Sequence, residues 1–302
     1  MTITAAQLAV IMPALATPFT PDGAVALDTL EALVARYLDK GVEGLFVCGT
    51  GGESLLLSLE ERERILETVV AVNAGAVPVV AHIGAVNTAD SVRLARHAEA
   101  AGADAISAIP PVYFSYSKAA IVGHYQTIMD ATALPMVLYN IPSLTGIEFT
   151  VDWPELLGDP RVIGMKHTSG NISSLQLMKA AYPDKTFLGG FDDLFVPAMS
   201  VGATGAIGVT AGSCFELYRA ARDHFQAGRV DDARRVQGYL AQVLQALFAN
   251  DLYPAAKYLA ERDIKPLTLG GCRPPFRPLS PEGKANMDVL LAKLDTWITT
   301  GL

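Results

Sequence analysis

The sequence predicts a (β/α)8 barrel, the TIM barrel, followed by a C-terminal helical extension. Eight short apolar runs typical of β-strands alternate with stretches of helical periodicity over roughly the first 220 residues. The unit repeats about every 25–30 residues, the size of one strand with its crossover helix. Beyond residue 213 only helical patterns follow. We therefore assign residues 1–225 to the barrel and residues 226–302 to a helical extension packed on it.

The predicted strands are mostly continuous apolar runs, as expected of parallel strands that are covered on both faces. In chain order they span 9–19, 44–49, 77–84, 105–111, 135–142, 162–169, 187–192 and 205–210. The first strand lies in an apolar N-terminal stretch that could suggest a signal peptide. However, no Lys or Arg precedes Arg36, and Pro13 and Pro18 interrupt the stretch, so we interpret it as a strand.

Helical patterns fill the segments between the strands. Residues 27–41 carry apolar side chains at helical spacing and close with a glycine, and the helix predicted at 87–103 ends in the same way. Residues 58–75 begin with Ser58 and Glu61, the pattern of a capping box. These helices are the expected crossovers between parallel strands.

The C-terminal part of the chain is helical in pattern. Residues 213–264 are predicted to be helical throughout, with a first helix that completes the eighth unit and a remainder that forms the extension. Prolines between residues 266 and 281 mark a loop before a last helix at about 282–298. No segment has the composition of a linker between independent domains.

A doubly wound open sheet is the alternative architecture. Its mark would be a GxGxxG motif after the first strand. The cluster GTGGES at 49–54 follows the second strand and lacks the third glycine, while GATGAIG at 202–208 has a different spacing. No GxxxxGK[ST] motif occurs, so neither glycine cluster is predicted to hold a nucleotide phosphate.

Composition narrows the class of protein. The 302-residue chain is 51% hydrophobic and 18% charged, with a formal net charge of −8, so nucleic acid or an anionic membrane is a poor partner. No apolar run is long enough for a membrane span. The three cysteines lie far apart, which indicates reduced thiols in a cytoplasmic protein. A small anionic substrate remains compatible with the acidic chain, because a local site can oppose the net charge.

The C-terminal ends of barrel strands are where a functional site is expected. There the sequence places Lys166 at the end of the apolar run VIGMKHTSG. Lysine is rarely buried. With a strand period of two, Lys166 and Thr168 point into the barrel and His167 points outward. A buried amine loses hydration, which favours its neutral, nucleophilic form, and such an amine attacks a ketone to give a Schiff base. The alternative is an ion pair with Glu53 or Asp192 that braces the barrel.

Further reactive groups are predicted at the same end. Tyr139 could move protons beside a Schiff-base nitrogen, or it could fill the barrel top. Thr50 lies among glycines whose N–H groups could bind a carboxylate, or which could form an ordinary tight turn. Asp192 and Asp193 could bind a polyol, or could cap the next helix. No cluster of His and carboxylate residues with metal-ligand spacing can be assembled, so we expect no metal site.

Four motifs in order give the chain a specific resemblance. GTGGE, YNIPSLTG, GMKHTSG and GGFDD occur with the order and spacing of the pyruvate-dependent class I aldolase superfamily. This superfamily includes dihydrodipicolinate synthase, N-acetylneuraminate lyase and 2-keto-3-deoxygluconate aldolase. The similarity covers nearly the whole chain.

The resemblance implies a role for individual residues. Lys166 matches the lysine that forms the Schiff base, and Tyr139 matches the proton-shuttling tyrosine. Thr50 matches the hydroxyl residue that binds the pyruvyl carboxylate. Tyr113 matches a tyrosine that relatives donate across a dimer interface. The resemblance also implies a homotetramer with no cofactor beyond the imine through Lys166.

Substrate-binding positions follow from the same motifs. They are Gly49, Gly51, Thr168, Gly190, Asp192, Asp193 and Val209. Leu144 stands where dihydrodipicolinate synthases carry an arginine, which disfavours that reaction. Thr168 and the acidic pair resemble the sialate lyases, but Val209 replaces a serine that contacts the polyol. Gly51 stands where those lyases carry a second hydroxyl residue, and in this respect the chain resembles 2-keto-3-deoxygluconate aldolases.

The expected function is reversible aldol cleavage of a 2-keto-3-deoxy sugar acid to pyruvate and an aldehyde. The sugar acid would resemble 2-keto-3-deoxygluconate or N-acetylneuraminate. The same imine could instead support a dihydrodipicolinate synthase-type condensation or the dehydration of a keto-deoxy acid. A non-catalytic paralogue that only binds a keto acid is the alternative of a different class.

Overall fold

The computed structural model describes residues 3–302 and confirms the predicted (β/α)8 barrel. Eight parallel strands follow the order β1-β8-β7-β6-β5-β4-β3-β2. The barrel closes between its first two strands through a parallel bridge from Ala14 to Phe46, where the Leu15 N–H also donates to the Phe46 carbonyl over 3.0 Å. Residues 1 and 2 of the predicted barrel unit lie outside the described range.

All eight predicted strands are present, and each is shorter than its apolar run. They are β1 Ile11–Pro13, β2 Leu45–Val47, β3 Val79–His82, β4 Ala105–Ala108, β5 Met136–Asn140, β6 Val162–His167, β7 Thr186–Gly189 and β8 Gly205–Gly208. The apolar runs continue past the strands because the βα loops also turn apolar residues into the structure. Ile109 and Ile141, for example, follow β4 and β5 and are both buried.

The helices surround the barrel and extend it. They are α1 Leu27–Asp39, α2 Leu59–Asn73, α3 Thr88–Ala101, α4 Lys118–Met129, α5 Pro142–Thr145, α6 Pro154–Leu157, α7 Ile172–Ala181, α8 Phe195–Ser200, α9 Phe215–Gln226, α10 Val230–Ala249, α11 Leu252–Glu261 and α12 Pro281–Thr300. The capping box predicted for α2 is confirmed: the Glu61 N–H donates to Ser58 Oγ, and the Ser58 N–H donates to the Glu61 carboxylate. None of the helices in the described part of the chain combines the length and apolar character needed to cross a membrane.

Residues 213–264 are mainly helical, as predicted, and the segment divides into three helices. Gly228 adopts a φ of 73° between α9 and α10, and Asp251 adopts a φ of 62° between α10 and α11. Both values lie in the left-handed region, which ends a right-handed helix. As a result the chain turns sharply, and α10 packs against α9 while α11 returns toward the barrel mouth.

Strand alternation separates two apolar layers. Val137 and Tyr139 of β5 join the cluster that fills the barrel, whereas Leu138 joins the cluster between the strands and the helices. On β6, Met165 packs in the outer layer. Lys166 therefore points toward the barrel axis, as predicted from the strand period.

Candidate active site

A cavity opens at the C-terminal ends of the strands, where barrel enzymes place their sites. Eight of the eleven predicted site residues line it: Thr50, Gly51, Tyr139, Lys166, Thr168, Gly190, Asp192 and Val209. The remaining three, Gly49, Tyr113 and Asp193, do not line this cavity. Parallel strands bring these side chains together because their carboxyl ends meet at one rim.

Lys166 is the one lysine among the described residues that line the cavity, and it is 4% exposed. Its Nζ lies 4.2 Å from the centre of the Tyr139 ring and 4.7 Å from the centre of the Phe46 ring. Within residues 3–302, no carboxylate oxygen lies within 4.0 Å of this nitrogen. The alternative of an ion pair that braces the barrel is therefore wrong.

The two carboxylates named in that alternative have other partners. Glu53 forms its ion pair with Lys257 of α11, over 2.6 Å. Asp192 accepts hydrogen bonds from the N–H and the Oγ1 hydroxyl of Thr210, at 3.1 and 2.8 Å. Burial raises the pKa of the Asp192 carboxyl, although its hydrogen bonds to Tyr218 and Thr210 act in the opposite direction. Asp192 thus lines the cavity with a carboxylate that already accepts two hydrogen bonds from Thr210.

Tyr139 and Thr50 form a hydrogen-bonded pair beside Lys166. The Tyr139 and Thr50 oxygens are 3.2 Å apart. Tyr139 lies next to Lys166 across the sheet, in direct register on β5 and β6. Phe46 contacts the Tyr139 ring edge-on, at 6.0 Å between centroids. The amine therefore lies against the Tyr139 ring, and the phenol oxygen of that ring is hydrogen-bonded to Thr50.

His82 packs against the Tyr139 ring inside the barrel. Its ring also meets the Tyr139 ring edge-on, at 5.8 Å. Its Nδ1 lies 2.9 Å from the Cys48 carbonyl, and burial holds the pKa of His82 well below its ordinary value. We interpret His82 as a neutral residue that packs the barrel interior.

Thr50 begins a short 3-10 turn, Thr50–Gly52. The first N–H groups of such a turn have no partner within it, so those of Thr50 and Gly51 are free for a ligand. Gly52 must be glycine here, because a Cβ would stand 2.8 Å from the Leu15 carbonyl oxygen. The turn is thus pressed against the loop after β1, and this contact sets its position.

Thr168 presents an unpaired hydroxyl to the cavity. It is 6% exposed, and its Oγ1 has no hydrogen-bond partner among the described residues. Gly190 leaves room for it: a Cβ on Gly190 would lie 1.9 Å from Thr168 Oγ1. A buried hydroxyl without a partner is costly, so this group is suited to accept or donate a hydrogen bond to a bound ligand.

Tyr113 and Asp193 point elsewhere. Tyr113 is 91% exposed, with a φ of 83° and its ring packed edge-on against Phe114. Asp193 is exposed beside the buried Asp192, because the two belong to one 3-10 turn and diverge from it. Gly49 is buried beneath the turn, where a Cβ would meet the Phe46 ring at 2.5 Å.

Sequence reasoning missed the wall contributed by the C-terminal helices. Leu244 and Phe248 of α10, together with Leu252 and Tyr253 of α11, line the cavity opposite the strands. Their apolar periodicity was visible, but periodicity does not tell which helix turns back over the barrel mouth. The barrel and the extension therefore build the cavity jointly. Within residues 3–302, no group of three or more His, Cys, Asp or Glu side chains is placed to hold a metal ion.

Comparison with known proteins identifies the family of this arrangement. The N-acetylneuraminate lyase of Rhizobium meliloti (strain 1021) is 36% identical over 287 residues, which cover 95% of each chain. The sialic acid aldolase of Ruminococcus gnavus superposes with a TM-score of 0.93 at 31% identity, covering 97% of this chain and 99% of that one. YagE, an Escherichia coli K12 prophage protein solved in complex with pyruvate, superposes with a TM-score of 0.89 at 30% identity, covering 95% and 98% of the two chains. The model of the dihydrodipicolinate synthetase family matches residues 7–294, and the chain belongs to this family.

Proposed function

We propose that the protein reversibly cleaves a 2-keto-3-deoxy sugar acid to pyruvate and an aldehyde through an imine on Lys166. Its relatives include N-acetylneuraminate lyases at 33–36% identity, and the chain is accordingly a pyruvate-dependent class I aldolase, a carbon–carbon lyase. The observation that carries the proposal is a buried amine that has no carboxylate partner within residues 3–302 and lies beside a hydrogen-bonded tyrosine and threonine. The imine itself is the electron sink, and the proposal includes no metal or organic cofactor.

The first step joins the substrate to Lys166. The neutral amine attacks the C2 carbonyl carbon, which forms an N–C bond and a carbinolamine. Loss of the former carbonyl oxygen as water gives the protonated imine. We assign to the Tyr139 phenol, whose ring centre lies 4.2 Å from the amine, the proton that the departing water needs.

The second step breaks the C3–C4 bond. Tyr139 takes the proton from the C4 hydroxyl, the aldehyde leaves, and the electron pair of the broken bond moves into the imine to form an enamine. Protonation at C3 and addition of water then release pyruvate and free Lys166. Thr50, 3.2 Å from the phenol, passes the proton onward.

The substrate carboxylate binds at the turn after β2. The leading N–H groups of the Thr50–Gly52 turn and the Thr50 hydroxyl are the donors. Gly51 lacks a side-chain hydroxyl, so the backbone supplies most of these hydrogen bonds. On the opposite side, the free Thr168 hydroxyl is placed to bind a hydroxyl of the sugar chain.

A second subunit completes the proton relay in this proposal. Tyr113 does not line the cavity of its own chain, and Tyr113 and Phe114 expose 91% and 63% of their surfaces. We place Tyr113 in the cavity of a neighbouring copy, within a homotetramer in the cytoplasm. Light scattering on the purified protein measures the assembly, and a monomer that is fully active would contradict this part of the proposal.

The chemistry of the cavity disfavours a condensation of the dihydrodipicolinate synthase type. That reaction brings a second carboxylate into the site. Leu144 lines the cavity where an arginine would hold that group, and Lys166, which carries the imine, is the one basic residue among the described lining residues. A second carboxylate would therefore be desolvated without a counter-charge.

The test is reduction with borohydride in the presence of pyruvate, followed by measurement of the intact mass. We expect one stable pyruvyl adduct per chain, and none in the Lys166→Ala variant. An adduct that survives this substitution would refute the assignment of the nucleophile. An adduct without turnover of any aldehyde would favour a non-catalytic paralogue instead.

A further inference from the structure

The side of the cavity formed by α5, α10 and α11 is lined mainly by apolar side chains. This lining indicates what the part of the substrate farthest from Lys166 is made of. We propose that this side, formed by Leu144, Leu244, Phe248 and Leu252, selects aldehydes that carry a hydroxyl beside the reacting carbon and an apolar end beyond it. In the cleavage direction these are 2-keto-3-deoxy acids whose terminal carbons lack hydroxyls. The inference rests on the proposed aldolase function and names its substrate class.

The apolar residues come from two sides of the mouth. Leu144 lies on α5, directly after β5, while Leu244 and Phe248 lie on α10 and Leu252 begins α11. Leu144 and Phe248 expose 59% and 61% of their surfaces although both line the cavity. Large apolar side chains that face water across a cavity are stabilised when an apolar ligand displaces that water.

Few polar groups interrupt this apolar set. Ser143 and Tyr253, the chain neighbours of Leu144 and Leu252, also line the cavity and are its hydroxyl groups on that side. Thr168 offers the one buried hydroxyl of the lining without a partner. The Asp192 carboxylate is held by the N–H and hydroxyl of Thr210. Beyond these groups Val209 presents methyl groups to the cavity, and Asp193 does not line it. A polyol that extends outward would find the hydroxyls of Ser143 and Tyr253 set among four large apolar side chains, Leu144, Leu244, Phe248 and Leu252.

This distribution has a consequence for specificity. A sugar hydroxyl that loses water against Leu244 or Phe248 regains no hydrogen bond, whereas a methyl group in the same place loses nothing. Apolar pockets discriminate against an added hydroxyl by at most about 100-fold. The mouth is partly open to solvent, so we expect a preference of about 10-fold in kcat/KM for each terminally deoxygenated aldehyde.

The synthetic direction allows a matched comparison. The C3 carbon of the pyruvate enamine attacks the aldehyde carbon, which forms the C3–C4 bond. The aldehyde oxygen takes a proton to become the C4 hydroxyl, and water hydrolyses the imine. Two pairs of aldehydes differ only in their outer hydroxyls: lactaldehyde against glyceraldehyde, and 2-hydroxybutanal against erythrose. Each kcat/KM is referred to the free aldehyde concentration measured by NMR.

The expected result is a higher kcat/KM for the deoxygenated member of each pair, with the larger ratio for the four-carbon pair. Phe248→Asn and Leu144→Asn should each lower this ratio several-fold, because they add hydrogen-bonding groups at the rim. Both positions are exposed in the free protein, so folding is expected to survive, and circular dichroism checks it. Leu177→Asn is the matched control, since Leu177 is 57% exposed on α7 and does not line the cavity.

The outcomes separate this inference from the function on which it rests. If pyruvate and borohydride leave no adduct on Lys166, the aldolase proposal fails and the inference falls with it. If the adduct forms but the hydroxylated aldehydes are preferred, only the inference is overturned. A preference that Phe248→Asn and Leu144→Asn leave unchanged would also overturn it, because the selecting residues would then lie elsewhere.

Discussion

Two buried lysines lie within this fold, and they differ in one respect. Lys166 on β6 is 4% exposed and Lys257 on α11 is 2% exposed. Each nitrogen stands 4.2 Å from the centre of an aromatic ring, that of Tyr139 for Lys166 and that of Phe19 for Lys257. Lys257, however, is 2.6 Å from a Glu53 carboxylate oxygen and donates to the Gly271 carbonyl over 3.0 Å. Lys166 has no carboxylate partner among the described residues.

The comparison shows that burial alone does not distinguish a nucleophile from a structural lysine. Burial lowers the pKa of Lys257, and its pairing with Glu53 acts against that shift. The resulting ion pair has a mechanical role: Glu53 follows the Thr50–Gly52 turn, and α11 carries Leu252 and Tyr253 of the opposite wall. One lysine thus joins two walls of the cavity, and the other is left open to a substrate carbonyl.

The first prediction tests the different roles of the two lysines by removing each amine in turn, and it has the largest expected effect. Lys166→Met should abolish both the borohydride-trapped adduct and aldol turnover, because the described part of the chain places no other amine in the cavity lining. Lys257→Met should still form the adduct at Lys166. The intact mass of each variant is measured after borohydride reduction in the presence of pyruvate. An adduct that is lost in Lys257→Met but kept in Lys166→Met would reverse the two assignments.

The second prediction concerns the ring beneath Lys166. Tyr139→Phe keeps the aromatic face but removes the hydroxyl that pairs with Thr50. We expect kcat to fall by about 100- to 10,000-fold, the usual range for a lost general acid–base group. The matched change at the structural lysine is Phe19→Leu, which removes the ring near Lys257. It should affect stability rather than kcat, and an unchanged kcat in Tyr139→Phe would assign proton transfer to another group.

The third prediction concerns the ion pair of Lys257. Lys257→Met leaves the Glu53 carboxylate buried, with the Arg273 N–H at 2.7 Å as a remaining donor. Removing one partner of a buried pair lowers the free energy of unfolding by about 3–5 kcal/mol. The double variant Glu53→Gln/Lys257→Met should lose less than the single variant, because no unpaired charge remains. Chemical denaturation measures both, and equal losses would show that the buried charge is not the cause.

Much of the site was predictable because it follows from local rules. The period of a strand predicts that Lys166 and Tyr139 point inward, and the order of parallel strands predicts that both lie at one rim. The partner of Glu53 was not predictable, since Lys257 lies more than 200 residues later along the chain. Such pairings depend on how α11 returns to the barrel mouth, and periodicity carries no information about that path.

The same limit applies to the acidic pair after β7. The motif GGFDD predicts two carboxylates that either bind a polyol or cap the next helix. Asp192 instead bonds to Thr210, which follows β8, and Asp193 faces solvent. Local sequence identifies which groups lie at the rim. Their hydrogen-bond partners come from neighbouring strands and are decided by packing.

The smallest expected effect comes from removing the hydroxyl of Thr168. Comparison with Thr210 tests whether that hydroxyl binds a ligand or stabilises the fold. Thr168→Val removes an Oγ1 that has no partner among residues 3–302, so the free energy of unfolding should stay the same or rise slightly. Binding should weaken by roughly 5- to 10-fold, about 1 kcal/mol, seen as a higher KM for the keto acid. Thr210→Val is the matched control, because its hydroxyl donates to Asp192 over 2.8 Å and its loss should lower stability. If Thr168→Val destabilises the protein as much as Thr210→Val does, the Thr168 hydroxyl stabilises the fold, and Thr168 is a structural residue, as Lys257 is.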